Sequence, residues 1–167
     1  MADLPTHTRL GFSADEWDLL LALPQAVLTA ASAAESDSPR RTRAERAAGL
    51  EAVAAGREFT SRLVTALAEE LTSRLGDPET GAELPVVEPD DPEAMISDVL
   101  DRARVVAILL ANKVDAGEAD AYRQWVISIA DEVIAAAPSD GLLGFDGSME
   151  SSRERRFRED LARRLTE

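Results

Sequence analysis

Residues 91–137 read DPEAMISDVLDRARVVAILLANKVDAGEADAYRQWVISIADEVIAAA, and this stretch decides the fold. Asp91 and Pro92 supply an N-cap and a first-turn proline, which begin one helix, and Asp115 with Glu118 begins the next. Both helices carry wide apolar arcs, as helices in the middle of a domain do. Because the connection between them is very short, the sequence predicts an antiparallel helical hairpin at the centre of a bundle.

The composition of the whole chain favours the same architecture. The 167 residues are 45% hydrophobic but only 4% aromatic, so the core is built from Ala, Leu, Val and Ile. Small aliphatic side chains favour close packing of helices over a sandwich of sheets. We therefore expect a single all-α domain over residues 1–167, a compact bundle of five to six helices.

The first long helix of the sequence has a well-defined beginning. Ser13 and Glu16 form a capping-box pattern, and Phe12 with Trp17 is placed as a hydrophobic staple. Pro24 lies inside this helix and removes the amide that would bond to the carbonyl four residues earlier. The sequence therefore predicts one helix with a bend before Pro24.

The other helices and the loops between them follow from Gly, Pro and capping residues. Apolar spacing predicts helices at 42–56, where Thr42 and Glu45 are a possible capping box, and at 60–75. A last helix is predicted after a cap formed by Ser151 with Glu154. Residues 1–11 are expected to form a flexible N-terminus. Residues 76–91 are rich in proline and acidic side chains, which predicts a long loop.

The formal net charge of −14 and the absence of cysteine limit the classes of function. An acidic surface repels nucleic acid phosphates and anionic lipids, so neither nucleic acid nor a membrane is expected as a partner. Without cysteine there is no disulfide and no thiolate ligand or nucleophile, which is compatible with a reducing compartment. We expect a cytoplasmic location.

One segment carries oxygen ligands among flexible glycines. Asp140, Asp146 and Glu150 are weak candidates for a divalent cation such as calcium, which prefers oxygen ligands. Their spacing is not that of an EF-hand. The competing interpretation is that these residues form turns and cap the following helix.

Two groups of residues are candidates for binding a partner. Leu142, Leu143 and Phe145 form an apolar tip in the Gly-punctuated loop, which either contacts a partner or closes one end of the bundle. Arg155 and Arg158 belong to an arginine cluster on the last helix. This cluster either docks an acidic partner or balances the charge of the chain.

Several short motifs together resemble a known group of proteins. These are Phe12-Ser13-x-x-Glu16-Trp17-x-x-Leu20-Leu21, the central hairpin, and Gly141-Leu142-Leu143-Gly144-Phe145-x-Gly147 before the last helix. The set resembles uncharacterised bacterial all-helical proteins and, through them, the tellurite-resistance TerB-like bundles. The resemblance implies one helical domain that acts in stress response or organises partner proteins. TerB-like domains are associated with acidic metal-binding positions at helix starts, and no such set maps onto this sequence.

The leading hypothesis from the sequence is a non-catalytic cytoplasmic interaction module without a cofactor. The only histidine is His7, and no cysteine is present, so a catalytic base and nucleophile are hard to assemble. The expected contact surfaces are the last helix, the Gly-punctuated loop or the acidic loop, with a protein partner or a second copy. The alternative is a small-molecule or divalent-metal binder that uses the gap opened by Pro24 or the loop 140–150.

Overall fold

The computed structural model describes residues 4–34, 39–83, 89–136 and 152–167. These residues form an all-α bundle, which confirms the predicted fold class. The helices are α1 (Thr6–Arg9), α2 (Ala14–Ala33), α3 (Pro39–Ala55), α4 (Arg62–Leu75), α5 (Pro92–Lys113), α6 (Ala116–Ala135) and α7 (Ser152–Arg164). Short 3-10 turns at Gly56–Glu58 and Pro78–Thr80 follow α3 and α4.

The described part of the chain contains seven α-helices, so the predicted count of five to six is wrong. The additional helix is α1, which lies inside the segment 1–11 that the sequence predicts to be flexible. The Phe12 amide donates to the His7 carbonyl, and the His7 ring lies 6.4 Å from the ring of Trp17. These contacts hold the short helix against α2. They depend on tertiary packing, which the helix propensity of the segment alone does not predict.

The centre of the bundle is α6 rather than the α5–α6 hairpin. Helix α6 packs mainly on α2 and α3 and also touches α4, α5 and α7, whereas α5 packs mainly on α2 and α7. Only one face of α5 is buried, so some of the apolar residues of this helix lie on the surface of the bundle. The buried residues of α5 are Val99, Ala103, Val106, Ala107 and Leu110.

The proline in α2 is accommodated by a hydrogen bond from another helix. Helix α2 continues through Pro24, which cannot donate to the carbonyl of Leu20. The Tyr122 hydroxyl of α6 donates to that carbonyl over 2.9 Å, and both residues are fully buried. Burial raises the pKa of the Tyr122 phenol, so it remains a hydrogen-bond donor.

Two glycines let α3 approach its neighbours closely. A Cβ at Gly49 would lie 2.5 Å from Leu28 Cγ, and a Cβ at Gly56 would lie 2.6 Å from Trp125 Nε1. The sequence predicts a break between two helices near Gly56, and the structure confirms it with the 3-10 turn that begins there. Gly56 therefore both ends α3 and makes room for Trp125.

The capping residues predicted for α2 and α6 begin those helices, but α3 begins at Pro39, so Thr42 and Glu45 lie inside it rather than at its cap. Ser13 and Glu16 form the expected capping box of α2, and the Asp115 side chain accepts from the Glu118 amide at the start of α6. The Glu118 carboxylate instead reaches α4, where it accepts from the Ser61 hydroxyl over 2.6 Å and from the Leu63 amide over 3.0 Å. Glu118 thus fixes α4 against α6.

Candidate functional site

Most of the candidate residues from the sequence lie outside the described residues. The segment 137–151 contains the cation candidates Asp140, Asp146 and Glu150, and the apolar tip Leu142, Leu143 and Phe145. Their roles therefore stay predictions. Within the ranges that the structure describes, no group of three or more His, Cys, Asp or Glu side chains could hold a metal ion.

The two arginine candidates lie on α7, where Arg155 is exposed and Arg158 is half-buried. The Arg158 guanidinium forms a two-pronged ion pair with Asp131 of α6, with Nε 2.5 Å from Oδ1 and a terminal nitrogen 3.2 Å from Oδ2. This geometry suits an arginine–carboxylate pair. Arg158 thus holds α7 to α6, and a role in partner binding remains a prediction.

A buried ionic cluster joins the ends of three helices. Glu45 of α3 and Glu154 of α7 are only 1% and 2% exposed, and both accept from Arg41, over 2.9 Å and 3.1 Å. Glu45 also accepts from the Ser32 hydroxyl at the end of α2, over 3.0 Å. Arg46, the residue after Glu45, is also buried, and burial lowers the pKa of its guanidinium.

The chemistry of this cluster is structural. An arginine that faces two carboxylates offsets their charge and holds them in place, which leaves no side chain ready to attack or to exchange a proton with a substrate. Sequence reasoning assigned Glu45 and Glu154 to helix caps and so missed the cluster. The spacing of Arg41 and Glu45, four residues apart on one helix, is the only local signal for it.

A shallow groove of about 310 Å³ runs along the surface between α2 and α5. The two helices are antiparallel, because residues from the second half of α2 and residues from the first half of α5 line the groove together. We call it the α2–α5 groove; it is lined by Ala22, Gln25, Ala26, Thr29, Met95, Asp98, Val99 and Arg102.

The groove continues toward the start of α2 as an apolar surface. Lys113 at the end of α5 forms an ion pair with Glu16 of α2, with Nζ 3.2 Å from Oε2. Leu19 lies one turn after Glu16, and Leu109 lies one turn before Lys113, so helical spacing brings the two leucines to the same place. Val105 lies one turn before Leu109 on α5.

Three large apolar side chains of α2 and α5 are exposed. Val105 and Ile108 are 50% and 53% exposed, and Leu19 is 38% exposed. Burying such side chains in a contact stabilises it by about 25 cal/mol for each Å² removed from water. Contiguous exposed apolar surface typically marks a site of interaction.

Acidic side chains border the groove. Asp15 and Asp18 on α2 and Asp101 on α5 are exposed, and no ion-pair partner for them occurs in the described ranges. Asp98 is paired with Arg102, with an N–O distance of 2.8 Å. The border of the apolar surface is therefore negative, as is the chain as a whole.

Comparison with known proteins adds no assignment. No family model, curated protein or solved structure matches this chain. In the part of the chain that the structure describes, no helix is both long enough and apolar enough to cross a bilayer. The likeness to TerB-like bundles stays a sequence-based prediction. A function is therefore proposed from the surface of the molecule.

Proposed function

We propose that this chain is a non-catalytic protein-interaction module of the cytoplasm, and that the α2–α5 groove with Val105 and Ile108 is its contact surface. The observation that carries the proposal is that Val105 and Ile108 of α5 are half-exposed and are not covered by the helices that the structure describes. Two helices support this surface and fix its shape, so a partner meets a preformed site.

The chemistry of the residues also supports an interaction role. The charged side chains that are buried serve the fold: Arg41 offsets Glu45 and Glu154, and Glu118 caps α4. A sequence with one histidine and no cysteine offers few groups for catalysis. The cytoplasmic location rests on the cysteine-free sequence, and a link to stress response rests on the TerB-like resemblance alone.

Affinity capture with a matched pair of variants tests the proposal. Val105→Glu places a charge at the centre of the apolar surface, and we expect recovery of the bound partner from a lysate of the source organism to fall at least about tenfold. Ala47→Glu adds the same charge at an exposed position of α3 and is expected to leave recovery unchanged.

Circular dichroism melting of both variants separates binding from stability. Both positions are exposed, so we expect both melting temperatures to stay close to that of the wild type. Equal recovery of the partner by Val105→Glu and the wild type would contradict the assignment of the contact surface. Loss of the partner by both variants would show that the added charge, and not its position on α5, weakens binding, and would also contradict the assignment.

A further inference from the structure

Resting on the proposed function, we infer that the α2–α5 groove binds a basic amphipathic helix of a protein partner. The inference concerns the chemistry of the occupant, which the proposed function leaves open. It depends on the shape of the groove and on the charges along its border.

The shape of the groove fits a helix. Both of its helices present side chains at positions i, i+4, i+7 and i+11, which form one continuous stripe along a helix. On α2 these are Asp15, Leu19, Ala22 and Ala26. On α5 they are Asp98, Arg102, Val105 and Leu109. Two antiparallel helices with facing stripes form the cradle in which a third helix packs, and small residues in it allow close approach.

The apolar residues of the groove define how a partner helix is anchored. Met95 and Ala26 line one end of the groove, and helical spacing places Leu19, Val105 and Leu109 beyond its other end. A stripe of this length covers about 11 residues, or roughly 16 Å along a helix. A partner helix of three turns or more, with apolar residues on one face, covers it.

The charges along the border select a basic helix. Asp15 and Asp18 of α2 and Asp101 of α5 are exposed, so both helices that form the groove carry carboxylates at the surface. Lysine or arginine beside the apolar stripe of a partner meets these carboxylates. A second copy of this chain is disfavoured as occupant, because two chains with formal charge −14 repel each other.

The test uses the full chain and two synthetic helix-forming peptides of about 20 residues. Both carry leucine along one face, and one has lysine where the other has glutamate beside the leucines. Binding is measured by fluorescence anisotropy at low and at physiological salt. We expect the lysine peptide to bind at least about tenfold more tightly than the glutamate peptide.

Two double variants of equal net charge show whether the attraction is local. Asp15→Asn with Asp101→Asn removes two carboxylates at the groove, and we expect it to weaken binding of the lysine peptide about fivefold. Glu51→Gln with Glu58→Gln removes two exposed carboxylates on α3 and the following 3-10 turn. This control is expected to weaken binding less than about twofold.

Three results overturn the inference. One is equal weakening by both double variants, which shows general attraction to an acidic protein. Another is equal binding of the two peptides. The third is a dimer of the chain alone in sedimentation that Val105→Glu dissociates, because a second copy then occupies the groove. The proposed function is tested separately, by whether Val105→Glu loses the captured partner, so either claim can fail without the other.

Discussion

Replacing Arg41 by Met is expected to destabilise the fold by about 3 kcal/mol, the range for removing one member of a buried ion pair. Arg41 donates to both Glu45 and Glu154, whose side chains are almost fully buried. Methionine keeps much of the volume of arginine and removes its charge. Two buried carboxylates then lose a cation that offsets their desolvation, and one ion pair between α3 and α7 is removed.

Chemical denaturation and thermal melting measure this effect. A loss of about 3 kcal/mol corresponds to a fall in melting temperature of roughly 6–12 °C for a domain of this size. Arg43→Met is the matched control, since Arg43 lies two residues away on α3 and is exposed. The same loss of stability in both variants would show that the buried cluster does not carry the effect.

A double-mutant cycle assigns the effect to the charges. In the Arg41→Met background, Glu154→Gln removes one of the two carboxylate charges, so we expect it to recover part of the lost stability. In the wild type the same Glu154→Gln substitution is expected to destabilise the fold. Additive effects of the two substitutions would mean that Arg41 and Glu154 do not interact energetically.

Replacing Tyr122 by Phe is expected to cost about 2 kcal/mol, because it leaves the buried carbonyl of Leu20 without the donor that replaces the missing amide of Pro24. The ring itself is retained, including its edge contact with Trp125, whose centroid lies 6.0 Å away. The measured loss therefore reports on the hydroxyl alone. Urea denaturation of the wild type and the variant gives the difference.

The Pro24→Ala background makes this prediction specific. Alanine at position 24 supplies a backbone amide that can bond to the Leu20 carbonyl within α2. We therefore expect Tyr122→Phe to cost less than about 1 kcal/mol in that background. An equal cost in both backgrounds would show that the Tyr122 hydroxyl does not compensate for the proline.

Local sequence signals predict where the helices begin and end. Ser13 with Glu16 and Asp115 cap helices within a few residues of themselves, so their patterns are readable without knowledge of the fold. The break near Gly56 is also local, because glycine ends α3 there. These predictions were confirmed because both partners of each interaction lie close together in the sequence.

The arrangement of the helices was less predictable, because it depends on distant partners. The wide apolar arc of α5 predicted a central helix, but α5 buries only one face, and Val105 and Ile108 are exposed elsewhere on the helix. Glu45, Glu118 and Glu154 have the spacing of capping residues, yet each accepts a hydrogen bond from a residue outside its own helix. Spacing alone does not distinguish these uses.

The α2–α5 groove was not predicted for the same reason. Val105 and Ile108 were not among the apolar residues that predicted the buried face of α5, and no packing of α5 on α2 was predicted. Only the antiparallel packing of α2 on α5 brings Lys113 to Glu16 and so, by helical spacing, places Leu19 and Leu109 at the same level. An excess of apolar residues over one buried face of α5 is the signal that could have indicated a surface site.

Site-specific photo-crosslinking in the source organism tests the central claim most directly, with a photoreactive amino acid placed at position 105 or at position 47. Both positions are exposed, and only position 105 lies beside the α2–α5 groove. We predict a discrete crosslink to a second protein from position 105 and none from position 47. Equal crosslinking from both positions, or none from position 105, would contradict an interaction module that uses this surface.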